Sequence, residues 1–180
     1  MGYMKNLATT ILLNQLKAVH GALEGTMEGV TDDVAQFMPD GTANPIAGVY
    51  AHLVFSEDMF MNDVLRKTPN LMNGKFKDKT GASELHPMEW QTAYPKWLKE
   101  VKIDVKQFRA YSAAVFAESE KYVESLTDEE LEKEVDMTAF GMGKSTVGDF
   151  IAGFISGHAY SIMGEIAVLK GVQGLKGYPF

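Results

Sequence analysis

The sequence predicts an all-α protein, a bundle of four long helices, on three observations. Its long periodic segments carry apolar residues at alternating spacings of 3 and 4, the repeat of one helix face. No segment of the chain alternates apolar and polar residues as a half-buried strand does. Residues 67–93 form a polar stretch of about 27 residues with no such periodicity, far longer than the usual connection of about 4–6. A link of that length can cross a whole bundle, so the second and third helices can run parallel.

The first helix is expected from Lys5 to Glu28, with Leu13, Leu16, His20, Leu23 and Met27 on one stripe and Gly29 as its stop. Thr31 should cap a short acidic turn at Asp32-Asp33, before a Pro39-Asp40-Gly41 turn. Asn44-Pro45 opens the second helix, Asn44 as the cap and Pro45 at the first helical position. Val49, His52, Ser56 and Met59 follow on one face, and the helix should fade near Arg66. The third helix should start at Pro95 and run unbroken through Leu98, Val101, Val105, Phe108, Ser112, Val115, Ser119, Tyr122 and Leu126. Thr127 to Glu130 and Thr146 to Asp149 have the spacing of capping boxes, the second opening a fourth helix that runs to about Lys170. Gly171, Gly174, Gly177 and Pro179 then end it.

The chain's 180 residues fit one domain, spanning 1–180, with 46% hydrophobic and 23% charged residues as in ordinary globular proteins. A net charge of −7 without any cluster of Lys and Arg counts against nucleic acid and anionic membranes as partners. There is no cysteine, which excludes disulfides, zinc–thiolate sites and a thiol nucleophile. No stretch approaches the roughly 18 apolar residues of a membrane span, and the first residues do not read as a signal peptide, so the expected location is the cytoplasm.

Three stretches taken in order resemble the DinB-like superfamily. They are Asn44-Pro-Ile-Ala-Gly-Val-Tyr-Ala-His52-Leu, then Leu126-Thr-Asp-Glu-Glu-Leu131 with Thr146-Val-Gly-Asp149, and then His158-Ala-Tyr-Ser-Ile-Met-Gly164-Glu165-Ile166 running on to Phe180. Together they span about three quarters of the chain. The resemblance implies an up-down-down-up bundle with a long crossover between helices 2 and 3. It also implies a divalent metal, nickel or zinc, held by one histidine of the second helix and two of the fourth spaced i and i+4. His52 and His158 match two of those positions; the third falls on Ile162, which offers no lone pair. Two imidazoles hold such a metal weakly, and the expectation is a metal absent or weakly bound. His20 lies on the first helix's stripe at a height similar to His52 and is the candidate substitute ligand.

Two functions compete. One is a metal-assisted transferase or hydrolase of a small molecule, a thiol compound in the family's pattern, with an altered metal site. The other is a non-catalytic small-molecule-binding or stress-related protein that has lost the metal. A homodimer is expected in either case, from the family's habit and a Met-rich apolar chain with 11 methionines. The remaining candidates read as structural. His86 is taken as a solvated loop residue, Trp90, Tyr94 and Trp97 as packing for the crossover, and the acids at 118, 120 and 128–130 as a solvated face and a cap. Gly143-Lys144-Ser145-Thr146 looks like part of a phosphate loop, but Thr138 stands where that loop needs glycine and no strand is expected before it.

Overall fold

A computed structural model describes residues 6–87, 89 and 92–180. Trp90 and the expected helix start at Lys5 lie outside the described residues. Helix α1, Leu7–Thr26, buries Leu12, Leu16, Val19, Leu23 and the following Met27, while Leu13 is only half-buried. Of the expected stripe, Leu16, His20, Leu23 and Met27 are thus buried and Leu13 lies at its edge. Gly29 adopts φ 76, a backbone that L side chains resist, and ends the turn. Helix α2, Asp32–Gln36, is capped by the Thr31 hydroxyl, which accepts from the Val34 amide. Helix α3, Ile46–Asp58, begins after Pro45, which itself holds the cap position expected for Asn44. It widens into a π-helical stretch, Met59–Arg66, and stops at Lys67 with φ 56.

The expected third helix is broken. Helix α4, Tyr94–Glu100, and helix α5, Val105–Ser125, are separate. Between them Lys102 to Asp104 is extended, because its backbone pairs with the crossover: Ser83 donates to the Lys102 carbonyl and Asp104 to the Gly81 carbonyl, both at 2.8 Å. Asp104 then caps α5 by accepting from the Gln107 amide. Helix α4 lies against α3 where Gly48 meets the Leu98 carbonyl, too closely for any Cβ at 48.

Helix α6, Asp128–Leu131, starts with the expected capping box of Thr127 and Glu130. A small hairpin follows that the sequence did not suggest: β1, Glu134–Asp136, pairs antiparallel with β2, Lys144–Thr146. Lys144 therefore sits on a strand, 2.7 Å from Glu134, and not in a phosphate-binding loop. Helix α7, Val147–Asp149, is capped by Thr146 and passes through a π-helical stretch, Phe150–Ser156, into α8, Gly157–Gly171.

Side-chain pairs give the directions of the four long helices. Glu24 meets Arg109 and His20 meets Glu120, so α1 and α5 are antiparallel. Tyr50 meets Phe108, Phe55 meets Tyr111 and Arg66 meets Glu118, so α3 and α5 run the same way. His52 meets His158 while Phe60 meets Phe150, so α8 opposes α3. Lys170 at the end of α8 donates to the Thr26 and Glu28 carbonyls at the end of α1. The order is up, down, down, up, and the crossover spans the bundle's length.

Asp58 ties that crossover down. Its wholly buried carboxylate accepts from the Leu71 and Met72 amides at 2.9 and 2.8 Å, from Asn62 at 2.8 Å and from the Tyr111 hydroxyl at 2.7 Å. Asp58→Ala should cost about 3 kcal/mol, since it leaves two buried amides and a phenol without their charged acceptor. Urea unfolding measures this; a loss below about 1 kcal/mol would show that the crossover holds without Asp58.

Candidate functional site

The two π-helical stretches, after Asp58 and before Gly157, pack against each other through Phe60, Phe150 and Phe154, and the part of the bundle where α3 and α8 face each other adjoins them. Both expected site histidines project there. The His52 and His158 rings lie 4.8 Å apart at 68°, edge to face. A third imidazole joins them from the crossover: His86 Nε2 is 3.1 Å from His52 Nδ1. This residue was read as solvated, and the only hint against that reading was the stiff Pro87 beside it. Tyr94 of α4 lies 5.0 Å from His52 and 5.4 Å from His86, Trp97 lies 4.9 Å from His86, and Phe154 lies 5.5 Å from His158.

One carbonyl orders the imidazoles. His86 Nδ1 is 2.9 Å from the Pro87 oxygen, which can only accept, so Nδ1 carries the proton. In the neutral ring Nε2 then bears the lone pair, and His52 Nδ1 must donate to it. The proton of His52 is thereby fixed on Nδ1, with Ser56 Oγ a second neighbour at 3.3 Å.

All three rings are held neutral. Burial pushes His52 down to about 3, helped by the nearby His158 and His86. Burial alone takes His86 to about 4, against the Pro87 hydrogen bond. His158 is lowered by burial and raised in part by the charge of Glu57. Burial and the nearby Glu165 raise the Tyr94 phenol to about 12.

His20 is elsewhere. Its Nδ1 is 2.8 Å from Glu120, its Nε2 is 3.2 and 3.3 Å from the two oxygens of Glu57, and its ring stacks on Phe116 at 4.0 Å. Burial works against a charge there, but the charges and hydrogen bonds of Glu57 and Glu120 together outweigh it, and its pKa is raised above 6.5. Glu120, read as part of a solvated face, is thus a partner in the core. The buried partner Glu57 is marked in the sequence only as one of two adjacent acids inside the apolar run 53–61.

Among the described residues, the three-histidine set implied by the resemblance is not complete. Ile162 is 6% exposed and packs in the core, and both nitrogens of His20 are engaged by carboxylates. His86 contacts His52 through a nitrogen-to-nitrogen hydrogen bond. Among the described residues no three His, Asp or Glu side chains converge to hold an ion.

A model of the DinB superfamily matches residues 15–160, from within α1 to just past His158. The chain belongs to the DinB superfamily. A solved structure described as the conserved protein of a locus from Enterococcus faecalis superposes with a TM-score of 0.77. It is 17% identical and the match covers 94% of this chain and 98% of that one, a likeness of fold. No curated protein matches the chain. No described helix of this DinB protein is long and apolar enough to cross a membrane.

The two kinds of histidine should separate by NMR titration of their imidazole signals. His20, with its folded pKa above the ordinary 6.5, contributes stability that is present below pH 6.5 and lost as pH rises through the folded value. His52 has the opposite sign: its contribution is present above pH 6.5 and is lost as pH falls toward about 3. A His52 signal titrating near 6.5 would refute the desolvated pocket.

Proposed function

We propose that this DinB protein binds a small molecule in the pocket of His52, His86 and His158, without a resident metal. The observation that carries the reading is the hydrogen-bonded chain from the Pro87 carbonyl through His86 to His52, with Ile162 apolar beside it. Such a chain presets which nitrogen donates and which accepts, as a binding site for a polar ligand requires. The rings of Tyr94, Trp97 and Phe154 supply the apolar surface. The edge-to-face pair of His52 and His158 is the feature that speaks for the competing reading, a metal-assisted transferase or hydrolase.

Elemental analysis of protein purified without a metal-affinity tag decides between them. Substoichiometric nickel and zinc are expected; a full equivalent of either would overturn the metal-free reading. Ile162→His would set imidazoles at 158 and 162 on one helical face, and with His52 they would meet the usual ligand count. The variant should bind zinc or nickel far more tightly than the parent, with stabilisation of about 2.7 kcal/mol at a metal concentration of 100 times Kd.

We also propose that the protein is a homodimer. Val168 on α8 and Val172 at its C-cap stand 66% and 62% exposed, and Leu175, Tyr178 and the 84% exposed Phe180 add exposed apolar side chains in the tail. Light scattering at micromolar concentration should give twice 19.8 kDa, and the monomer mass across that range would refute it.

A further inference from the structure

Where the ends of α1 and α8 meet the tail, a buried positive charge lines open space. The tail turns at Gly174, which has φ 76, and folds back over both helices. Its backbone comes so close that a Cβ at Gly177 would lie 2.9 Å from the Ala167 carbonyl oxygen, and one at Gly25 would lie 2.9 Å from Pro179. This strap walls a cavity of about 320 Å³, whose lining includes Glu28, Lys170, Leu175, Lys176, Tyr178 and Pro179.

Lys170 is 4% exposed and donates to the Thr26 and Glu28 carbonyls at 2.6 and 2.7 Å. Those acceptors are neutral, and they use two of the three N–H donors of an ammonium group. Lys176 likewise donates to a carbonyl, that of Pro179, at 3.2 Å. Among the described residues no carboxylate forms an ion pair with either lysine. Two ammonium groups and the Glu28 carboxylate leave one positive charge at the cavity. Burial lowers the pKa of Lys170; Glu28 opposes the change and Lys176 adds to it, so both charges act on that ammonium. A buried charge without a counter-charge is costly.

The helix ends do not supply the missing negative charge. The carbonyls of 23–26 in α1 accept from Met27, Arg109, Glu28 and Lys170. Those of 168–171 in α8 accept from Val172, Gln173, Leu175 and Gly174. Both sets are thus engaged by the chain's own donors, which leaves few free acceptors there to repel an anion. The positive balance is local: the groove between α1 and α6 is lined by Asp128, Glu132 and Asp149 without a lysine or arginine.

We propose that this cavity binds a small organic carboxylate, with the remaining Lys170 donor and the Lys176 ammonium on its oxygens and Leu175 and Pro179 against its apolar part. Lys170 lies twelve residues beyond His158 on α8, an axial step of about 18 Å, so the site is separate from the imidazole cluster. A carboxylate carries the single negative charge that the balance calls for, whereas phosphate is nearer two at neutral pH. The net charge of −7 repels anions at long range, so the preference depends on these local charges.

Butyrate, 1-butanol and butylamine share one alkyl chain and differ in charge, and each is titrated into the full-length protein while amide signals are followed by NMR. Butyrate should shift the Gly29 and Leu175 amides with a Kd of roughly millimolar, at least about tenfold tighter than the other two. Lys170→Met should abolish that binding. Lys176→Gln, at an exposed position, should weaken it about tenfold, and Glu28→Gln, which removes the acid from the lining, should tighten it several-fold. These two exposed changes keep the question measurable if Lys170→Met does not fold. Lys96→Gln, which changes only the surface pair with Glu100, should leave butyrate binding unchanged. Butyrate shifts confined to other residues, equal binding of 1-butanol, or binding indifferent to Lys176→Gln would overturn the anion site. Tighter binding of inorganic phosphate than of butyrate would overturn the carboxylate as its ligand.

Discussion

The parallel course of α3 and α5 forces the chain to travel back along the bundle, and the buried carboxylate of Asp58 makes that return passage ordered. A carboxylate taken from water without a cation beside it is stable only if donors replace its hydration. Asp58 has four: two crossover amides, Asn62 and Tyr111. Burial raises its pKa while these bonds oppose the rise. The same group therefore joins the end of α3, the start of the crossover and the middle of α5. Asp63 repeats the device one turn on, accepting from the Asn70 amide and side chain at 2.9 and 2.6 Å.

The later crossover is fixed by a different exchange, and it shapes the site. Residues 81–83 obtain backbone partners from 102–104, which is why no continuous helix runs through those positions. Breaking it detaches α4, which packs across α3 at Gly48 and brings Tyr94 and Trp97 to His52 and His86. A single helix from Pro95 to Leu126 would carry both rings along the axis of α5 instead. The loss of helical hydrogen bonds at 101–104 is thus offset by strand-like ones, and the aromatic contacts of His52 and His86 are a product of that exchange.

What could be read in the sequence follows from range. Periodicity located the long helices, and the Thr127–Glu130 box and the Thr31 and Thr146 caps were readable because each depends on residues three apart. The meeting of His52 with His158 came from family order, not from spacing. The break at 101–104 was invisible because Val101 and Val105 are both buried on either side of it, so the 3–4 alternation continues through an extended link. The hairpin's strands are three residues each, too short to show alternation. His86 was missed because its place is set by the crossover's tertiary contacts, and nothing local encodes those.

His20 shows how a correct local reading can lead to the wrong partner. Its stripe was right, and it is buried on the bundle's inner face. Equal numbers of residues from a shared loop place it level with His52 by count alone, but its partner on α3 is Glu57, five residues further on. Placement at that level changes its chemistry. Between two carboxylates an imidazole holds its proton more tightly, while among other imidazoles and aromatic rings burial loosens it. The four-helix core thus holds two histidine environments whose pKa values are displaced in opposite directions, and Glu57 acts on both sides: it pairs with His20 and its charge opposes the lowering of His158. Buried charge is paired at His20 and Glu57, and hydrogen-bonding direction is set along His86 and His52.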